Sequence, residues 1–193
     1  MLFLGNQQKY YSIDELKQKG FSYYKIKQME ESGRLNRINR NTFEDLCYKG
    51  DENDFVDVTA YIHFGVICMM SAARYYGLTN FLPEVVDIAV DRKKKISNRP
   101  IWPGIKVYYF YSERMRLGVN EVFEDGNSFR IFDMEKTVVD IICYRNKVGI
   151  EETSEILRNY LKKQNRKIDR LYAYSKVLRC ESVLRTYLEV LMV

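Results

Sequence analysis

The clearest alternation of apolar and polar positions lies between Ser12 and Phe43, SIDELKQKGFSYYKIKQMEESGRLNRINRNTF. Ser12 and Glu15 form an S-x-x-E capping box, which predicts a short helix with Ile13 and Leu16 facing inward. Gly20 is free to take positive φ where that helix stops, and Ser22 can cap a second helix running to about Ser32, ended by Gly33. Ile26 and Met29 share one face of the second helix and are expected to pack on Leu16 and Phe21. Its other face shows Tyr23, Tyr24, Lys25, Lys27 and Gln28 to solvent. Leu35, Ile38 and Phe43, with Asn39-Arg40-Asn41 between them, predict a two-stranded hairpin with Asn in left-handed turn positions.

Further along, the pattern changes. Residues 1–11 read as a lead-in, a half-turn of helix and then a short strand at Tyr10-Tyr11. The charged stretch Glu44 to Asn53, with Gly50, is the best domain boundary. Asp57 to Tyr76 is apolar on nearly every side and predicts one long buried helix ending at Gly77. Val85–Asp91, Ile105–Tyr111, Val119–Phe123 and Phe129–Phe132 are β-branched and aromatic, and predict four strands. Helices follow from Asp133, Ile150, Asp169 and Glu181. The expected fold class is α+β: a winged helix-turn-helix over residues 1–48, then a mixed α+β domain over 54–193 with a small sheet and a helical C-terminal run.

Composition adds that the 193 residues are 46% apolar and 30% charged, enough to bury real cores. The net charge of +5 suits a nucleic-acid partner without demanding one. Between Lys9 and Asp45 there are eight Lys/Arg against six Asp/Glu, whereas between Arg145 and Arg185 there are eleven against five. The later part is therefore the more basic. Cys47, Cys68, Cys143 and Cys180 form no C-x-x-C pair and read as reduced, buried small hydrophobes. With no apolar run long enough for a membrane span and no secretory h-region, the expected location is the cytoplasm.

In a helix-turn-helix the second helix enters the major groove, so the expected DNA contacts are Ser22, Tyr23, Tyr24, Lys25, Lys27, Gln28, Arg34, Arg37 and Arg40. Lys25, Lys27 and Arg37 are the expected phosphate contacts; Tyr23, Tyr24 and Gln28 lie nearer the bases. A helical hairpin with a solvated basic face is the plainer reading of the same residues. Asp87 followed by Asp91-Arg92-Lys93 imitates the carboxylates and lysine of a metal-dependent nuclease, although charged strand ends are commonplace. Glu135, Lys136, Thr137 and Asp140 have a full structural account as a helix start with an i,i+4 pair. His63 is the sole histidine and has no nearby nucleophile in sequence. Nothing in the chain suggests a cofactor, and no enzymatic activity is expected.

The segments SAARYYGL (Ser71–Leu78), VVDIAVDRKKK (Val85–Lys95), FRIFDMEKTVVDII (Phe129–Ile142), KVGIEETSEILRNYL and ESVLRTYLEVL follow the basic N-terminal stretch in that order. Together they resemble the AbiEi family, the antitoxin half of bacterial abortive-infection toxin–antitoxin systems used in phage defence. Met134 to Asp140 matches the family's E-[RK]-T-x-x-D stretch, while the hairpin turn carries Asn where relatives often have Gly. The resemblance implies a winged helix that binds inverted repeats in its own promoter and represses the operon. It also implies a C-terminal domain that counteracts a nucleotidyltransferase-like toxin. Arg92, Lys93, Lys94, Lys95, Glu135 and Lys136 are the candidate partner contacts, and the protein off DNA is expected to be a monomer. The alternatives are a regulator whose C-terminal domain docks a different partner, and the metal-dependent nuclease.

Overall fold

A computed structural model describes residue 4 and residues 8–191, and these form an α+β protein with two sheets. The chain divides into two compact units. The first comprises the described residues up to 64, with 96–103 and 121–129; the second comprises 65–95, 104–120 and the chain from 130 onward. The boundary thus falls later than the charged stretch at 44–53, and the first unit recruits two later segments.

In the first unit, strand β1 (Tyr10–Ser12) leads into helix α1 (Ile13–Gln18). The expected capping box is complete: Ser12 Oγ accepts from the Glu15 N–H at 3.1 Å, and the Glu15 carboxylate accepts from the Ser12 N–H at 2.6 Å. Gly20 turns the chain at φ 88°. Helix α2 (Tyr23–Glu31) starts on Ser22, whose Oγ accepts from the Lys25 N–H. Strands β2 (Leu35–Arg37) and β3 (Thr42–Asp45) pair antiparallel, and β1 adds to the far side of β3, giving the order β1-β3-β2. Tyr11, Leu16, Phe21, Ile26, Leu35 and Phe43 are buried together between the sheet and the two helices, with Ile13 and Met29 packed against them. The turn between β2 and β3 corrects one expectation. Neither Asn39 nor Asn41 takes positive φ; instead Asn39 Oδ1 accepts from the Asn41 and Thr42 N–H groups, closing the loop with a side chain. The half-turn of helix expected before β1 lies outside the described residues.

The expected long helix from Asp57 to Tyr76 does not exist. Helix α3 (Asp54–Tyr61) is capped by Asn53 and ends before His63, which is exposed. Strand β4 (Val66–Ile67) follows, then helix α4 (Met69–Tyr75). The physical reason is that β4 lies inside a sheet and is buried on both faces. Its apolar run then has the look of a buried helix. Strands β5 (Val86–Asp91) and β6 (Ile105–Phe110), the short helix α5 (Ser112–Arg116), and strands β7 (Val119–Glu124) and β8 (Asn127–Phe132) come next. The five-stranded order is β6-β5-β4-β8-β7, with β4 antiparallel to β5 and parallel to β8, and β5 parallel to β6. The Asp125-Gly126 turn joins β7 to β8 with both residues at positive φ, as a tight hairpin requires.

Helix α6 (Met134–Cys143) is capped by Asp133 and carries buried residues along nearly its whole length. Around it stand α7 (Arg145–Val148), α8 (Ile150–Lys162), α9 (Ile168–Val177) and α10 (Glu181–Leu191). Val138, Ile141, Ile142, Ile156, Leu157, Leu171 and Leu184 are all fully buried in the second unit's core. Helix α9 begins at Ile168 rather than on an Asp169 cap; the Lys167 N–H before it donates to the buried Glu135 carboxylate at 2.9 Å. No helix among the described residues is long and apolar enough to cross a membrane.

Candidate nucleic-acid interface

Helix α2 is held to its unit by Ile26, which is fully buried, and by Met29. With period 3.6, those two anchors turn Tyr23, Tyr24, Lys25, Lys27 and Gln28 outward. Tyr23 and Tyr24 are 59% and 71% exposed, although aromatic rings commonly bury most of their surface. Gln28 Nε2 donates to Tyr24 Oη at 3.1 Å, one turn back along the helix. That bond orients an amide and a phenol on the same exposed face. Beside them an open depression is lined by Lys25, Gln28, Met29, Glu31 and Ser32.

The cations divide into two groups. Lys25 and Arg40 are exposed, and Lys27 pairs loosely with Glu31 at 3.8 Å between two exposed side chains. Arg34 and Arg37 are otherwise engaged. Arg34 binds the fully buried carboxylate of Asp45 at 2.9 Å, tying the end of α2 to β3. Arg37 holds Glu30 through two hydrogen bonds of 3.0 Å and lies over the Phe43 ring at 4.6 Å. Those hydrogen bonds hold the Glu30 carboxyl below its usual range. Ser22 is spent on its cap. The nine residues expected at DNA are therefore present on one unit, but Ser22 and Arg34 act as local structure and Arg37 begins from an ion pair. No spacing in the sequence signals these pairings, because Asp45 and Glu30 reach their arginines only through the folded hairpin.

Glu135 and Lys136 must be corrected. They are 3% and 0% exposed, so neither is available at a partner surface. Glu135 accepts from the Tyr160 hydroxyl and the Lys167 N–H. Lys136 pairs with Asp140 and lies over the Phe132 ring at 4.0 Å, while Arg114 reaches the other oxygen of Asp140 at 2.7 Å. Burial pulls the Lys136 ammonium below its ordinary pKa, against the pull of Asp140. The E-K-T-x-x-D stretch is thus a buried ionic knot in the core, and Arg114, which sequence patterning does not single out, completes it. Cys47 is likewise exposed rather than buried.

The nuclease-like pair is also accounted for locally. Asp87 is 3% exposed and accepts from the Met70 N–H at 3.0 Å, serving the first turn of α4, where the N-cap Cys68 supplies no side-chain bond. Burial raises its pKa to about 6. Asp91 accepts from the Lys93 N–H at the strand end. Among the described residues no three His, Cys, Asp or Glu side chains gather as a metal site. A cleft of about 180 Å³ in the first unit is lined by carboxylates, and two of them, Glu52 and Asp57, hold the Lys9 ammonium.

Neither a family model nor a curated protein matches this chain.

Proposed function

We propose that this protein is a DNA-binding antitoxin and autorepressor, with the first unit acting as a winged helix-turn-helix. The observation that carries the reading is the outer face of α2. It presents two highly exposed tyrosines, a glutamine oriented by one of them, and Lys25 and Lys27, on a helix whose inner face is fixed by Ile26. Inserted in a major groove, Tyr24 and Gln28 would meet base edges while Lys25, Lys27 and Arg40 neutralise phosphates. The hairpin β2–β3 serves as the wing. The resemblance to AbiEi antitoxins supplies the biological setting: promoter inverted repeats as the target, and a nucleotidyltransferase-like toxin as the protein opposed. The protein acts as a binder, without a reaction of its own.

Replacing Lys25 or Lys27 by Ala should weaken binding to every duplex alike and lower the salt slope by about 0.9 for each phosphate no longer neutralised. Replacing Gln28 by Ala should instead narrow the gap between the upstream DNA and a scrambled duplex by about 1–3 kcal/mol. Lysine variants that bind as tightly as the parent at low salt would remove α2 from the interface. The antitoxin role is tested by co-expression with an adjacent nucleotidyltransferase-like gene: growth restored by the parent chain supports it, and toxicity unchanged refutes it.

A further inference from the structure

The second unit carries an exposed basic and aromatic surface that α2 does not share. Strand β5 runs into Arg92-Lys93-Lys94-Lys95, all four of them exposed. The turn is fixed rather than loose: the Lys93 N–H donates to Asp91 Oδ1 and the Lys94 N–H to the Asp91 carbonyl, each at 2.8 Å. Alongside lies β6, an edge strand of the five-stranded sheet. Its register pairs Val90 with Tyr109 and Asp91 with Phe110. Phe110 turns into the core at 1% exposure, so alternation sends Tyr109 to the opposite face. Tyr111 continues the extended backbone at φ −70°, ψ 152° and points the same way. The two rings are 48% and 70% exposed, and the Arg92 guanidinium lies 4.6 Å from the centre of the Tyr111 ring.

We infer that Tyr109, Tyr111 and the Arg92–Lys95 run form a binding surface for single-stranded nucleic acid. Two aromatic rings on one strand face, about 6.6 Å apart by strand geometry, give room for one unpaired base against each. Four consecutive cations beside them supply the counter-charge for the intervening phosphates. A duplex hides its base faces and would leave both rings unused. An acidic protein would use the cations as well, and competition by polyglutamate separates that case from base stacking. This surface shares no residue with α2, and its role does not depend on duplex binding there.

The test uses the full-length chain and fluorescein-labelled dT12 and rU12, with a 12-base-pair duplex and polyglutamate of matched charge as competitors. The expected result is that Y109A and Y111A each weaken oligomer binding by about tenfold, while Y109F and Y111F, which keep the ring, bind like the parent. A variant with Lys93, Lys94 and Lys95 replaced by Ala should flatten the salt slope by about 0.7 per cation removed. Preference for rU12 over dT12, or the reverse, identifies which nucleic acid the surface reads, and either supports the inference. Thermal unfolding of each variant at the parent's midpoint excludes a folding artefact. A parent chain that binds neither oligomer, oligomer binding unchanged in both Ala variants, or polyglutamate displacing the oligomer as well as unlabelled dT12 does, would overturn it.

Discussion

Asp140 is fully buried between two cations, accepting from Lys136 and Arg114 at once. The Lys136 side chain is buried as completely, so their pairing is a matter of mutual need rather than of net gain. Asp140→Asn removes the carboxylate charge from the knot and leaves the buried Lys136 and the partly exposed Arg114 without their shared anion, a loss of about 3–5 kcal/mol. Lys136→Met should cost less, because Arg114 keeps its carboxylate and the methylenes still pack on Phe132. Urea unfolding of both variants checks the order; equal losses, or a loss under about 1 kcal/mol for Asp140→Asn, would mean the knot is not coupled in this way. Asp87 gives a second test at this scale. Its folded pKa of about 6 exceeds the ordinary 3.8, so between those values the unfolded chain releases a proton that the folded chain keeps. The associated stability is full below about pH 4 and is lost as pH rises through 6. Asp87→Asn keeps an acceptor for the Met70 N–H and should be more stable than the parent at pH 7 by about 3 kcal/mol, with little difference below about pH 4. A gap independent of pH would assign the titration elsewhere.

Among the elements, legibility followed the local chemistry. Helices α1 and α2 could be read because their caps, glycines and inner faces are all encoded within the span Ser12–Gly33. The stretch from Asp57 to Tyr76 could not, because β4 gains its strand character only from its neighbours β5 and β8. Short helices such as α5 and α7 have too few turns to display a period. Of the candidate site, the exposed face of α2 was legible and the fates of Arg34 and Arg37 were not, since their partners are brought in by the hairpin. Glu135 and Lys136 read as surface charges for the same reason: what buries them is the packing of α8, α9 and β8. The Arg37–Glu30 pair yields a prediction about this element. Glu30→Gln frees the guanidinium and removes a negative charge next to the proposed interface, so duplex binding should tighten and its salt slope should steepen by about 0.9. A slope unchanged in electrophoretic or fluorescence titrations would mean Arg37 does not reach DNA.

At the scale of the whole molecule, two compact units have separate cores and separate exposed chemistry. The first carries ten Lys/Arg against thirteen Asp/Glu, and the second twenty-one against thirteen, so the net of +5 comes from the second. In the first unit the outer face of α2 groups two exposed tyrosines and a glutamine with Lys25 and Lys27, while Trp102 and Phe123 are exposed on other segments of that unit. On the proposed reading, sequence-specific recognition belongs to the first unit, while general polyanion affinity falls mainly to the second. Salt separates the two, because phosphate neutralisation weakens with ionic strength whereas base-edge contacts persist. The most direct measurement is a salt-titrated binding assay of the full chain on its own upstream DNA against a scrambled duplex of equal length. Tighter binding to the upstream DNA at every salt is expected, with affinity for both duplexes falling steeply as salt rises. Equal and weak binding to the two duplexes across the titration would contradict the assignment of α2 to DNA.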